Sequence, residues 1–247
     1  LMERELPDGL SADQLPEHVA FIMDGNGRWA KKRVMNRVKG HEKGAGAVRT
    51  VVESCTKFGI PYLTLYAFST ENWQRPKKEV DALMGLLTRF LRNEKAQLVK
   101  NGVRLTAIGE LHRLPEEVRR ELDLAMEATR HNERLTLCLA LSYGSRSELV
   151  AAVQGIADEV SQGRLRAADV DEEMVSQHLF TRGIPDPDLV IRTSGEMRLS
   201  NFLLWQCAYS EIFFTETLWP DFNESEFASI LMDFQARERR YGKVLQS

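Results

Sequence analysis

Val19-Ala20-Phe21-Ile22-Met23-Asp24-Gly25-Asn26-Gly27-Arg28-Trp29-Ala30 is the stretch whose reading decides the fold. Its apolar opening, Val19 to Met23, reads as a short strand buried on both faces. Asp24 follows, then a turn with Gly25 and Gly27, then the start of a basic helix with Arg28, Lys31, Lys32 and Arg33. Strand, glycine turn and helix start suit a phosphate, because the first amides of a helix lack intrahelical acceptors and the dipole favours an anion. Asp24 sharpens that reading. A carboxylate facing phosphate oxygens repels them unless a divalent cation stands between, which points to a Mg2+–diphosphate site at the C-terminal end of a central strand. Two other readings compete here. Gly25-x-Gly27-x-x-Ala30 matches an alanine-ending dinucleotide fingerprint. The acid that such a site needs about 20 residues on is missing; the next strand ends later, near Ser69 and Glu71. The same residues also suit a plain tight turn, and the loop alone does not separate the two.

Outward from this stretch, apolar runs and amphipathic stretches alternate. A helix is expected from His41 to Phe58, stopped by Gly59, and a strand over Tyr62–Phe68. A long helix follows from Lys78 to Lys100, then a strand at Val103–Gly109, a helix at Pro115–His131 and a strand at Leu135–Leu141. The remainder reads as a helix to Ser161, a short helix at Asp171–Phe180, a strand at Asp188–Ile191, a helix to Tyr209, a strand at Glu211–Phe214 and a last helix at Glu224–Arg240. This order predicts one α/β domain over residues 18–247, a six-stranded, mostly parallel sheet with helices on both faces, preceded by a loose arm over 1–17. The apolar stripe on the long helix, Val80 to Leu91, is wider than one sheet face needs. It reads either as a deeply packed helix or as the wall of a cavity.

Composition narrows the partners. A net charge of −3 counts against general nucleic-acid binding. Cys55, Cys138 and Cys207 lie far apart in apolar segments and suggest neither a disulfide frame nor a zinc site. No apolar run is long enough to span a bilayer, and the expected location is cytoplasmic, with peripheral contact at the inner membrane face where an apolar product would leave.

Polar residues recur at strand ends: Asp24, Asn26 and Arg28; Ser69, Glu71, Trp73 and Arg75; Arg146; Arg192, Glu196, Arg198 and Ser200. A parallel sheet gathers these ends along one edge, and several guanidinium forks there match phosphate oxygens. Glu211 opens its strand and belongs to the opposite edge, unless strand direction or a neighbouring chain brings it in.

These residues carry a resemblance. His18 to Ala30, Gly40-His41, Phe68-Ser69-x-Glu71-Asn72-Trp73-x-Arg75-Pro76, Asp188 to Glu196, Arg198 to Phe202, Trp219-Pro220-Asp221-Phe222 and Arg240-x-Gly242 are similar, in order, to the motifs of the cis-prenyltransferases, the family of the bacterial undecaprenyl diphosphate synthases. The resemblance implies Mg2+-dependent, head-to-tail addition of isopentenyl diphosphate to farnesyl diphosphate. The product would be a long-chain, undecaprenyl-like carrier lipid for cell-wall synthesis, made by a homodimer. By the same resemblance Gly25, Gly27, Arg28, Trp29, Arg37, His41 and Arg75 hold the allylic diphosphate, and Arg192, Arg198 and Ser200 hold the isopentenyl diphosphate. Asp24 binds the metal with Glu211 as a second contact, and Asn26, Ser69, Glu71 and Trp73 line the reacting centre. Phe68, Leu83, Leu87, Phe90, Leu135 and Leu137 form a product tunnel, and Arg240 and Gly242 complete the neighbour's site. Ser142 replaces the family's usual asparagine, and Met197 stands where a polar residue is common. A nucleotide-binding oxidoreductase and a non-catalytic partner subunit are the competing classes. The missing ribose acid argues against the first, and the presence of Asp24, Glu71, Arg192 and Arg198 against the second.

Overall fold

Alternating apolar and amphipathic segments become strands β1 (His18–Ile22), β2 (Tyr62–Ser69), β3 (Val103–Ile108), β4 (Leu135–Tyr143), β5 (Leu189–Arg192) and β6 (Glu211–Phe214). The computed structural model describes residues 5–237. The strands form one six-stranded sheet in the order β3-β4-β2-β1-β5-β6. Every pairing is parallel, so the sheet is wholly rather than mostly so. Helices α1 (Asn26–Lys32), α2 (Arg37–Phe58), α3 (Lys77–Lys100), α4 (Glu116–Thr129), α5 (Ser145–Ser161), α6 (Glu172–His178) and α7 (Glu224–Gln235) connect or follow them.

A strand covered on both faces needs apolar side chains in both directions. All of β1 and all of β4 are buried. Val19 and Phe21 point into the main core, with Val51, Phe58 and Trp219, while Ala20 and Ile22 point into a second one with Phe202, Leu203 and Cys207. β1 lies between β2 and β5, where the chain's winding reverses. The crevice outside the strand ends at such a reversal is where an open α/β sheet holds its ligand.

Two expectations are corrected. Residues 5–17 are not a loose arm: Leu6, Leu10 and Leu15 pack on the main core. Their backbone is tied down as well, since the Glu5 amide donates to the Lys57 carbonyl at 3.2 Å and Gln235 Nε2 donates to the Ser11 carbonyl at 2.9 Å. The helix expected up to Tyr209 is only a 3-10 turn at Gln206–Tyr209. Ser200, Asn201 and Leu203 take φ of 50°, 63° and 43°, the left-handed region that a right-handed helix excludes.

Candidate active site

β1 and β5 are in register, Ile22 beside Arg192, so Asp24 passes just over the end of the neighbouring strand. The Arg192 side chain is nearly buried, and a buried guanidinium requires partners. Its Nη2 donates to Asp24 Oδ2 at 2.9 Å, and its Nη1 donates to Ser200 Oγ at 2.7 Å and to the Arg198 carbonyl. Thr193 locks the same corner: its Oγ accepts from the Asp24 amide at 2.9 Å and donates to the Asp24 carbonyl at 2.7 Å. The Gly25 amide donates to Asp24 Oδ1 at 2.7 Å. Gly25 stands at φ 103°, with Leu218 and Ser194 where a side chain would be, so only glycine makes this turn without strain. Burial alone would raise the Asp24 carboxyl. The hydrogen bonds from Arg192 and Gly25, with the charges of Arg192 and Arg28, outweigh it and hold the group below the usual carboxylate range.

Arg28 lies over this corner, 3.8 Å from Asp24 and 3.1 Å from Glu196, and donates to Ser194 Oγ. Arg198 pairs with Glu196. The strands further along the edge add a second group. Ser69 caps the 3-10 turn Thr70–Gln74 that carries Glu71 and Trp73. Asn201 Nδ2 donates to Glu71 Oε1 at 2.9 Å, and Trp73 Nε1 donates to Ser142 Oγ at 2.9 Å. The serine that departs from the family's asparagine thus anchors an aromatic of the site, from a left-handed φ of 48°. Met197 is exposed. Arg75 and Arg37 both reach Glu79, at 3.2 and 3.5 Å. His41 is pushed down to about 4 by burial first and by the Arg75 charge second, so it is a neutral imidazole at neutral pH.

Beneath this rim an apolar cavity of about 180 Å³ opens. Asn26, His41 and Arg75 line it beside Phe68, Leu83, Leu87 and Phe90. The width of the α3 stripe is thereby explained. Val80, Leu91 and Leu98 are buried in the core, whereas Leu83, Leu86, Leu87 and Phe90 are half-buried where they line the cavity, with the buried Met84 beside them. Asn26 Oδ1 is buried without a hydrogen-bond partner, close to where a side chain on Gly44 would stand. Arg192 Nε is likewise unpartnered. Orphaned polar atoms of this kind leave hydrogen-bonding capacity that a water or a polar ligand at this corner satisfies.

Two predicted placements differ, and a third residue stands at the opposite edge as expected. Leu135 and Leu137 do not line the cavity; they share its face of β4, but lie lower in the filled core, and Leu139 and Leu141 take the lining positions. Trp29 is buried away from the cavity: Nε1 donates to Asp221 at 2.7 Å and Arg33 stacks over the ring at 4.1 Å, so the indole seats α1. Glu211, level with Leu189, sits at the N-terminal edge of the sheet, as its place at the start of its strand implied, and accepts from Arg237 Nη1 at 2.6 Å, so one chain does not bring it to Asp24. Arg240 and Gly242 lie outside the described residues. Thr193, Ser194, Asn201 and Ser142 had been given no role. A polar run after a strand pointed to the first two; Ser142 stood out only as a departure from the family and Asn201 only as a member of a motif, with no contact assigned to either.

Among the described residues no cluster of three His, Cys, Asp or Glu forms a metal cage. The donor set fits Mg2+ all the same, since this ion keeps several waters and is held by one or two carboxylates together with substrate phosphates. Asp24, with its side chain 34% exposed, is the carboxylate at hand.

The family model described as "Putative undecaprenyl diphosphate synthase" matches residues 22–242. The chain is 50% identical over 235 residues to an isoprenyl transferase of Clostridium perfringens, covering 95% of this chain and 93% of that one. It is 51% identical over 230 residues to an isoprenyl transferase of Bacillus anthracis, covering 93% and 89%. Among solved structures, the lavandulyl diphosphate synthase of Lavandula x intermedia, in complex with dimethylallyl diphosphate, superposes with a TM-score of 0.91 at 38% identity, covering 94% of this chain and 100% of that one. A probable undecaprenyl diphosphate synthase of Campylobacter jejuni gives 0.77 at 40% identity, covering 92% and 99%.

Proposed function

The chain belongs to the undecaprenyl diphosphate synthase family and is a cis-prenyltransferase, and from that premise we propose that it adds isopentenyl diphosphate repeatedly to farnesyl diphosphate to make a long-chain polyprenyl diphosphate. The observation that carries this reading is the junction of two unlike environments: a rim of arginines around Asp24, opening directly onto an apolar cavity. A substrate with a diphosphate head and a hydrocarbon tail spans that junction. The structural relative with a bound allylic diphosphate supports the same class of starter.

In each round the C1–diphosphate bond of the allylic substrate breaks, C4 of isopentenyl diphosphate bonds to that carbon, and a proton leaves C2 to give the new double bond. Arg28, Arg37 and Arg75 hold the allylic diphosphate, and Arg192, Arg198 and Ser200 hold the isopentenyl diphosphate. Fixed cations aimed where charge grows lower the barrier, because they need no reorganisation as the bond breaks. His41 stays neutral and serves as a hydrogen-bonding wall between the diphosphate and the cavity. Leu83, Leu87 and Phe90 keep water from the growing chain. Bound Mg2+ would neutralise the departing diphosphate, with Asp24 holding it. The enzyme works as a homodimer in which Glu211, Arg240 and Gly242 serve the neighbouring site, and its product is a carrier lipid for cell-wall synthesis. The opposite-edge position of Glu211 and the bacterial sources of the similar transferases support these two statements.

The test is mass spectrometry of lipids formed from farnesyl and isopentenyl diphosphates, with Mg2+ and with EDTA. A Mg2+-dependent ladder with a defined upper length is expected. Absence of condensation in both conditions overturns the reading.

A further inference from the structure

Away from the substrate site, α1 ends in a way that its sequence disfavours. The Val34 amide donates to the Lys31 carbonyl at 3.2 Å, and the Met35 amide donates to the Ala30 carbonyl at 2.9 Å. This pair of bonds is the Schellman ending, whose left-handed position ordinarily holds glycine. Here it holds Val34 at φ 57°, a conformation in which a β-branched residue is an outlier. Packing does not offset the strain, since Val34 is 97% exposed and Met35 49% exposed. The fold thus holds two apolar side chains out into solvent on a stiff turn.

The charge around them has one sign. Residues 31–39 carry Lys31, Lys32, Arg33, Arg37 and Lys39 and no acid. The facing acids are already engaged: Asp221 with Arg33 at 3.4 Å, Glu42 with Lys39 at 2.8 Å and Glu79 with Arg37 at 3.5 Å. Lys31 and Lys32 make no ion pair among the described residues. An exposed apolar tip ringed by free ammonium groups is complementary to one kind of surface, an acyl region topped by lipid phosphates.

We propose that residues 31–35 form a membrane-docking tip, with Val34 and Met35 entering the interface of an anionic bilayer and Lys31 and Lys32 meeting its headgroups. α1 sets the tip about 9 Å along its axis from Asn26, which lines the cavity, so docking brings the site close to the bilayer that would receive the product. That link to product release rests on the proposed reaction; the docking itself does not.

The experiment is co-sedimentation of the full chain with vesicles of phosphatidylglycerol and phosphatidylcholine, against vesicles of phosphatidylcholine alone, over a salt series. Binding is expected to the anionic vesicles only and to weaken as salt rises. Lys31→Gln with Lys32→Gln should weaken it by about 25-fold, taking about fivefold per charge. Val34→Gly separates docking from folding, because it relieves the strained turn. The variant should melt at or above the wild-type temperature and yet bind vesicles several-fold more weakly. Wild-type protein that ignores anionic vesicles overturns the proposal. So does vesicle binding that needs the lysines but is unchanged in Val34→Gly and Met35→Ser, since that result means attraction to any polyanion without insertion. Turnover of farnesyl and isopentenyl diphosphates in detergent, measured on the same preparations, stays at the wild-type rate in every variant. Its absence in the wild type sinks the proposed reaction and leaves the docking result standing.

Discussion

At the rim of the site Arg192 is buried and donates to Asp24, Ser200 and the Arg198 carbonyl, whereas one layer below, Leu83, Leu87 and Phe90 are half-buried because nothing fills the space they face. The two regions obey different constraints. A buried charge must have partners with good geometry, so the rim is defined contact by contact. An apolar wall needs only an excluded volume, so it tolerates several arrangements of similar side chains. In the proposed reaction the rim is thus assigned the chemistry, and the wall the size of hydrocarbon that fits.

Removing charge from the rim is the most severe way to break this contrast. Asp24→Ala should lower kcat by about 1,000-fold. The fold should persist, since the turn keeps its Thr193 bonds, but the melting temperature should fall because the buried Arg192 loses its carboxylate partner. Loss of fold in step with activity would make Asp24 structural instead. Arg192→Lys is the next test. A lysine cannot donate to Asp24 and Ser200 from one planar fork, so kcat/KM for isopentenyl diphosphate should drop about 100-fold. An unchanged KM for isopentenyl diphosphate would remove that diphosphate from this corner.

Acid probes both regions together. Burial lowers His18 and His41 from 6.5 to about 4. Above pH 6.5 each is neutral in the folded and unfolded chain and costs nothing. Between pH 6.5 and 4 the unfolded chain binds a proton that the folded one refuses, so stability falls as pH falls. For His18, held between the Pro185 carbonyl at 2.6 Å and Thr64 Oγ at 2.8 Å, the full loss is about 3 kcal/mol. His41 faces an open cavity and contributes less. Urea titrations across this range should show the slope, and His18→Gln should flatten it. A pH–rate profile with a limb near 6.5 that vanishes in His41→Asn would contradict a His41 that is neutral down to about 4.

Filling the wall should have the mildest effect. Leu87→Trp reduces the cavity without touching a charged group. It should shorten the longest product while changing turnover by no more than about threefold. An unaltered product ladder would place the growing chain elsewhere.

Much of the rim was legible in the residues. Asp24, Arg28, Arg192 and Ser200 were singled out at strand ends, and parallel strands bring such ends together whatever lies between them. Asn201 and Ser142 were not, because their roles depend on left-handed backbone that their residue types do not demand. The partner of the Trp29 indole was not legible for a related reason: helix position does not say which way an indole turns, and Asp221, from 192 residues away, captures it.

The cavity marks the boundary of what a sequence states by itself. Periodicity established that α3 is apolar over a wide stripe and that β4 alternates Leu135, Leu137, Leu139 and Leu141 onto one face. Which members of these sets meet an opening and which meet a filled core was decided by how α2, α3 and the sheet come together. Alternating strands and helices, strand-end charges and the glycine turn after β1 are local in sequence, because backbone geometry and solvation act on each segment in turn. Empty volume and the partner of a buried charge belong to no segment. They arise where distant elements fail to fill a space or succeed in satisfying a charge, and only the packed tertiary structure determines that.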